Sequence, residues 1–227
     1  MPDTPRMSFT PVCGAARAPQ PLAADALHLW LLPLDGGGGP TAATAQANAF
    51  LRDIVGRYVG RTLAPDDFVR GEFGKPALRE PSRLGFNLSH CAHAAIVAIA
   101  DDADVGVDIE ADVVRARPYA ALARRYFCTE EADWVAAQAP ESVQRAFVAL
   151  WTAKEAVLKA NGRGIAFGLA RLRFATQADR VGPLIAIDAP AGPADAWQVH
   201  ALKPAPRLVG AVAWRGAARR IEAFRAG

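Results

Sequence analysis

The chain is 227 residues long, about half of it apolar, which suits a soluble globular protein of one large domain or two small ones. A formal net charge of +3 is too small to argue for nucleic-acid binding, and the longest apolar run, around residues 94–100, is far too short to span a bilayer. Prolines in the opening "MPDTPRMSFTPVCGAARAPQP" occupy the place where a secretory signal needs an apolar stretch. Cys13, Cys91 and Cys128 lack C-x-x-C spacing and fit free thiols of a reducing compartment. A cytoplasmic protein with a loose arm over residues 1–25 is expected. "HCAH" (90–93) leaves only His28 and His200 as further histidines, which argues against a zinc site.

In chain order, "ALHLWLLPL" (26–34) has strand character and "DGGGGP" (35–40) breaks it. "TAATAQANAFLRDIVGRYVG" then places Leu51, Ile54, Val55, Tyr58 and Val59 at helical spacing, with Thr41 or Thr44 to cap its start and Gly60 to end it. "FVRGEF", "LGFNLS", "AAIVAIA" and "VGVDIE" follow as strands separated by Gly, Pro and Asp. Residues 118–161 turn helical, with Thr129 as an N-cap ahead of Glu130 and Glu131 in an acidic first turn. Pro140 divides that run, and the second helix, from about 141, ends at "NGRG". "ARLRF", "LIAID", "AWQVHAL" and "RLVGAVAW" read as strands of a second sheet. The order predicts an α/β or α+β protein in two halves, 26–104 and 105–227, without an internal sequence repeat.

"GVDIE" (106–110) carries the first chemistry. On a strand, Asp108 and Glu110 share one face and Val107 and Ile109 the other. Two carboxylates on one face repel unless a cation or basic groups sit between them, so the pair reads either as a solvated acidic rim or as a hard-cation site. In "WTAKEAVLKANGRG" (151–164), Trp151, Glu155 and Lys159 form one stripe, while Leu150, Ala153, Val157 and Ala160 form another that can face a core. Glu155 and Lys159 alone could be a surface helix pair worth about 0.3–0.5 kcal/mol. Alternatively Glu155 completes a magnesium site with Asp108 and Glu110, and Lys159 offers charge to a diphosphate held there. Lysine occurs only at Lys75, Lys154, Lys159 and Lys203, so two of the four fall inside this motif. "FGKP" (73–76) presents Lys75 before Pro76, and "FNLSH" (86–90) puts Asn87 and Ser89 on the face opposite Leu88 and His90.

In this order, "GKP", "FNLSH", "GVDIE" and "WTAKEAVLKANGRG" make the sequence resemble the large, single-chain (Sfp-type) 4′-phosphopantetheinyl transferases. The resemblance runs from about Phe50 to Gly168, with support from "FLRDIVGRYVG" and "RYFCTEEADW". It implies an α+β fold of two similar halves related by a pseudo-twofold axis, with coenzyme A in the cleft between them. The implied reaction transfers the phosphopantetheine arm of coenzyme A to a serine of an acyl, peptidyl or aryl carrier protein. Adenosine 3′,5′-bisphosphate is released. Asp108, Glu110 and Glu155 would bind Mg²⁺, Lys159 the pyrophosphate, and Lys75, Pro76, Asn87, Ser89, His90 and Arg52 the rest of coenzyme A. Glu155, directly or through a metal-bound water, is the implied base, which with Lys159 makes the catalytic pair. A monomer without nucleic-acid or membrane partners is expected.

Two departures stand out. Ala149 in "FVALW" occupies a position where relatives often carry arginine, and "DGGGGPTAATAQ" lacks the basic residues some place before the first helix. Arg115, Arg117, Arg124 and Arg125 form a basic cluster that could receive an acidic carrier or be plain solvated surface. The competing readings are a catalytically silent coenzyme-A sensor or scaffold of the same fold, and an unrelated Mg²⁺-dependent phosphohydrolase.

Overall fold

The computed structural model describes residues 10–12, 21–34, 38–113 and 116–226. The first unit runs β2 (Ala26–Pro33), α1 (Gly39–Val59), the hairpin β3 (Phe68–Arg70) and β4 (Pro76–Leu78), then β5 (Leu84–Cys91) and β6 (Ala94–Asp101). The second runs β7 (Val105–Ala111), α2 (Tyr119–Tyr126), α3 (Thr129–Ala136), α4 (Val143–Ala160), the hairpin β8 (Leu172–Gln177) and β9 (Arg180–Ile187), then β10 (Trp197–Leu202) and β11 (Leu208–Arg215). In each unit the last strand lies in the middle: β2-β6-β5 in one sheet and β7-β11-β10 in the other, all neighbours antiparallel. The class is mixed α+β.

Alternation along the strands builds the layers. Leu27, Leu29, Leu31, Ile96 and Ala98 of the first sheet meet Val105, Val107, Ile109, Val212 and Trp214 of the second, giving a dry inter-sheet core. The outer face of the first sheet, with Trp30, Val97 and Ile99, takes the apolar stripe of α1: Ala47, Phe50, Leu51 and Ile54. The outer face of the second sheet takes α4 through Leu150, Ala153, Ala156, Val157 and Ala160 against Ala211 and Ala213. This is the stripe expected of that helix.

Several local expectations are corrected. Helix α1 starts at Gly39, with Pro40 preset for its first turn, and the Thr44 hydroxyl donates to the Pro40 carbonyl rather than capping the start. Gly60 ends the helix in the left-handed conformation, as the sequence predicts. Cys128, not Thr129, is the N-cap residue of α3. Strands β8 and β9 pair only with each other among the described residues and do not join the second sheet. A further strand, β12 (Arg220–Ala226), inserts into the first sheet parallel to β2. Residues Thr10–Val12 of the N-terminal arm, β1, lie parallel on its other side, while 1–9 and 13–20 are outside the described residues.

Glu131 stands in the acidic first turn of α3 as expected, but its side chain is buried. It is buried with Lys154, whose Nζ lies 2.7 Å from Glu131 Oε2 and donates to the carbonyls of Leu169, at 2.9 Å, and Leu172. Glu131 in turn accepts the Phe174 N–H at 2.8 Å and the Cys128 thiol at 3.2 Å. Burial pulls the Lys154 pKa down, with Glu131 opposing. A buried ion pair satisfied on both sides holds α3, α4 and β8 together and resists disruption of either partner.

Helix α4 lies so close on β7 that Gly106 has no room for a side chain: a Cβ there would stand far inside contact distance of the Ala156 carbonyl and the Ala160 backbone nitrogen. The glycine of "GVDIE" thus sets the distance between the strand carrying Asp108 and the helix carrying Glu155. Gly106→Ala should force them apart, lowering stability by about 1–3 kcal/mol, with urea unfolding as the measurement and a native-like midpoint as the contrary result.

Candidate active site

The seam between the sheets gathers most of the predicted residues. Among the described residues strand β7 pairs with a strand, β11, on one side only. Its other edge faces β5, whose side chains stand in for a neighbouring backbone: Val107 N–H donates to Asn87 Oδ1 at 2.9 Å, and Ile109 N–H to Ser89 Oγ at 3.2 Å. Asp108 and Glu110 project from β7 on the face opposite Val107 and Ile109, toward α4, as alternation predicts.

Lys159 does not form the helix pair with Glu155 that spacing alone allows. Its Nζ reaches across the seam to Asp108 Oδ1 at 2.6 Å, Ser89 Oγ at 3.1 Å and the Val107 carbonyl at 3.2 Å. Ser89 donates its proton to the same Asp108 oxygen at 2.9 Å. Asp108 Oδ2 and Glu155 Oε1 are buried and accept no hydrogen bond from the described residues. Glu155 is pushed up to about 7, first by burial and then by Asp108 and Glu110, with Lys159 opposing. Among the described residues no three His, Cys, Asp or Glu side chains stand in metal-ligating geometry. The acids converge, but Lys159 holds Asp108.

Lys75 binds the Ala160 carbonyl at the end of α4 and Asp104 Oδ1, both at 3.1 Å, and so bridges the two units beside Pro76. His90 is exposed at the far end of β5, 3.1 Å from Thr44 Oγ1, and burial followed by Lys159 lowers its pKa. Arg52 stands apart. It lines a separate groove on α1 with Asp53, Arg57, Arg83 and Asp101. Asn87 and Ser89 are 4% and 5% exposed, and Asn87 Oδ1 and Ser89 Oγ are engaged within the seam. Sequence reading also misses a cavity of about 240 Å³ beside Glu110, lined by Tyr119, Tyr126, Phe147, Trp151 and Gln144. Only Trp151, on the Glu155 stripe, pointed to it.

Residues 104–213 match the family model of the 4′-phosphopantetheinyl transferase superfamily. The chain is 32% identical over 225 residues to the 4′-phosphopantetheinyl transferase HetI of Nostoc sp., a match covering 86% of this chain and 90% of that protein. It is 38% identical over 135 residues to the 4′-phosphopantetheinyl transferase AcpT of Salmonella typhimurium, covering 57% of this chain and 69% of the relative. A third similarity, 33% over 127 residues, is to the 4′-phosphopantetheinyl transferase psf-1 of Bacillus pumilus, covering 56% and 52%.

The Glu155 shift has a testable sign. An unperturbed glutamate titrates near 4.5 and this one near 7, so its folded form favours the proton. The associated stability is full below about 4.5 and is lost as pH rises through 7. Without metal, Glu155→Gln should therefore be more stable than the parent above neutrality by on the order of 3 kcal/mol, the gap closing toward pH 5. Urea midpoints across that range measure it.

Proposed function

The chain belongs to the 4′-phosphopantetheinyl transferase superfamily, and from that premise we propose that it is an enzyme moving the phosphopantetheine arm of coenzyme A onto a serine of an acyl, peptidyl or aryl carrier protein. One observation carries the reading: the cluster of Asp108, Glu110, Glu155 and Lys159 at the seam, with two buried carboxylate oxygens that have no partner among the described residues. Two orphaned, charge-bearing oxygens beside a lysine fit a divalent cation on a diphosphate. Asp108, Glu110 and Glu155 would hold Mg²⁺, which when bound neutralises pyrophosphate charge.

The other residues then have defined tasks. The carrier serine oxygen bonds to the phosphorus bearing the pantetheine arm, the bond from that phosphorus to the bridging oxygen breaks, and adenosine 3′,5′-bisphosphate departs. Glu155, whose raised pKa suits a general base near neutrality, takes the serine proton. Lys159 offers its ammonium to the departing phosphate, exchanging Asp108 for it. Lys75, Pro76 and His90 line the nucleotide side, and Arg52 would reach coenzyme A only along α1. The aromatic cavity beside Glu110, lined by Tyr119, Tyr126, Phe147 and Trp151, suits the apolar stretches of the arm itself.

Finer points belong to the same reading. The repeated order of strand, helix, hairpin and two strands, with β6 and β11 central, supports two halves, 26–104 and 105–227, related by a pseudo-twofold axis as in the Sfp-type members. Cytoplasmic location and a monomer fit the same scheme. Among the described residues no helix is long and apolar enough to cross a membrane. Arg124 and Arg125, exposed in the last turn of α2, would meet an acidic carrier, while Arg115 lies outside the described residues. Charge reversal at either should raise the carrier KM and leave that for coenzyme A unchanged, because rim charges act on encounter.

The direct test incubates the protein with coenzyme A, Mg²⁺ and an apo-carrier, reading intact mass. A modified serine is expected. Free phosphopantetheine would instead give the hydrolase reading, and bound coenzyme A without product the silent scaffold. Lys159→Met should lower turnover about a hundredfold, roughly 2.7 kcal/mol of barrier, and Lys159→Arg should rescue poorly at a confined phosphate.

A further inference from the structure

We infer that His28 is an acid-sensitive latch on β12: as a neutral imidazole it clasps Tyr58 and closes the first sheet, and as an imidazolium it loosens that strand. Nothing in this latch depends on the transferase reading.

The ring sits where β2, α1 and β12 meet. It is 1% exposed, and Nδ1 lies 2.7 Å from the Tyr58 hydroxyl of α1. Phe224 of β12 covers it edge-on, with 5.1 Å between ring centroids. Nε2 lies 3.7 Å from Glu222 Oε2, also on β12. Proton counting fixes the tautomer. The Trp30 indole N–H can only donate, and it donates to the Tyr58 oxygen at 2.8 Å. The phenol has one proton, and among the described residues His28 Nδ1 is its remaining partner. Nδ1 is therefore bare, and the neutral ring carries its proton on Nε2, toward Glu222.

Acid breaks this arrangement. A second proton would go on Nδ1 and set an N–H against the phenolic O–H, leaving the Tyr58 proton without an acceptor. It would also put charge in a site sealed from water. Burial holds the His28 pKa below its usual 6.5, with Glu222 opposing and Arg220 adding to the fall. Glu222 answers weakly, being 28% exposed and already bonded to Arg220, which also lies 4.0 Å from Asp25. Ile99, opposite on β6, carries no charge. Arg57, next to Tyr58, lies over Trp30 and pairs with Asp53. Strand β12 is the member that can yield: among the described residues it is paired to β2 on one side and to the three residues of β1 on the other. Its lifting would carry Phe224 off the ring and let water reach the imidazolium. A lowered histidine pKa gives stability that is complete above 6.5 and is lost as pH falls below it.

Hydrogen exchange by mass spectrometry, corrected for intrinsic rates, reads the strand directly. From about pH 7.5 to about pH 5.5, protection across 220–226 should fall by up to about tenfold per pH unit, the slope of one proton. Protection across β11 should hold. His28→Gln should leave 220–226 without this pH dependence. Should that variant fail to fold, Tyr58→Phe, which removes the donor from Nδ1, should move the onset to higher pH. Ring ¹⁵N shifts of the parent at neutral pH should show the proton on Nε2. A proton on Nδ1, flat protection across 220–226, or loss of β11 and β12 together would each overturn the inference. So would an unchanged acid response in His28→Gln or an unmoved onset in Tyr58→Phe.

Discussion

The edge of β7 that faces β5 carries backbone groups that no strand pairs, and the rest of the molecule is arranged around satisfying them. Buried backbone N–H groups left unpaired are costly. Here Asn87 and Ser89 accept from Val107 and Ile109, and Lys159 donates to the Val107 carbonyl. Side chains thus join the two sheets where a backbone ladder would have made one continuous sheet. A ladder would have closed the gap. Side-chain spacers keep it open wide enough for Asp108 to point across to Lys159.

That spacing explains the electrostatics. Asp108 and Glu155 are both buried, and Lys159 answers only the first. The unanswered carboxylate is then held toward its neutral form by desolvation and by its neighbours. Three carboxylates, Asp108, Glu110 and Glu155, thus stand beside the single ammonium of Lys159. A few residues away along α4 the opposite solution operates: Lys154 and Glu131 are sealed from water and satisfied by each other and by backbone. Successive residues of one helix therefore serve unlike purposes, Lys154 structural and Glu155 unfulfilled.

The sequence made the chemistry more legible than the architecture. Alternation in "GVDIE" and the i, i+4, i+8 stripe put Asp108, Glu110, Glu155 and Lys159 on facing surfaces, because both periodicities are properties of the backbone alone. Partner choice was beyond that logic: Lys159 prefers Asp108, on another element, to Glu155 one turn away. Ser89 and Asn87 read in the sequence only as polar residues on one strand face, and that this face is the buried seam depends on how the two sheets meet. The burial of Glu131 was likewise not legible, its partner Lys154 lying 23 positions along the chain. Strand β12 escaped notice because Arg220, Glu222 and Arg225 interrupt its apolar residues. The Gly106 requirement appears only when the helix is seen pressed on the strand.

The position of β12 has a bearing on how the chain comes to be folded. Residues 220–225 pair with residues 26–31, so the first sheet is completed only after the whole of the second unit has been synthesised. Until then β2 presents an open edge, with the apolar faces of Leu27, Leu29 and Trp30 already formed, a hazard for pairing with another chain. The pairing is also long-range, and the entropy of closing so large a loop slows its formation. On the ribosome the N-terminal unit must wait, unfinished, for the C-terminal one. The two units are therefore successive in sequence but simultaneous in maturation, and the first sheet of a nascent chain is not sealed until β12 has been threaded home.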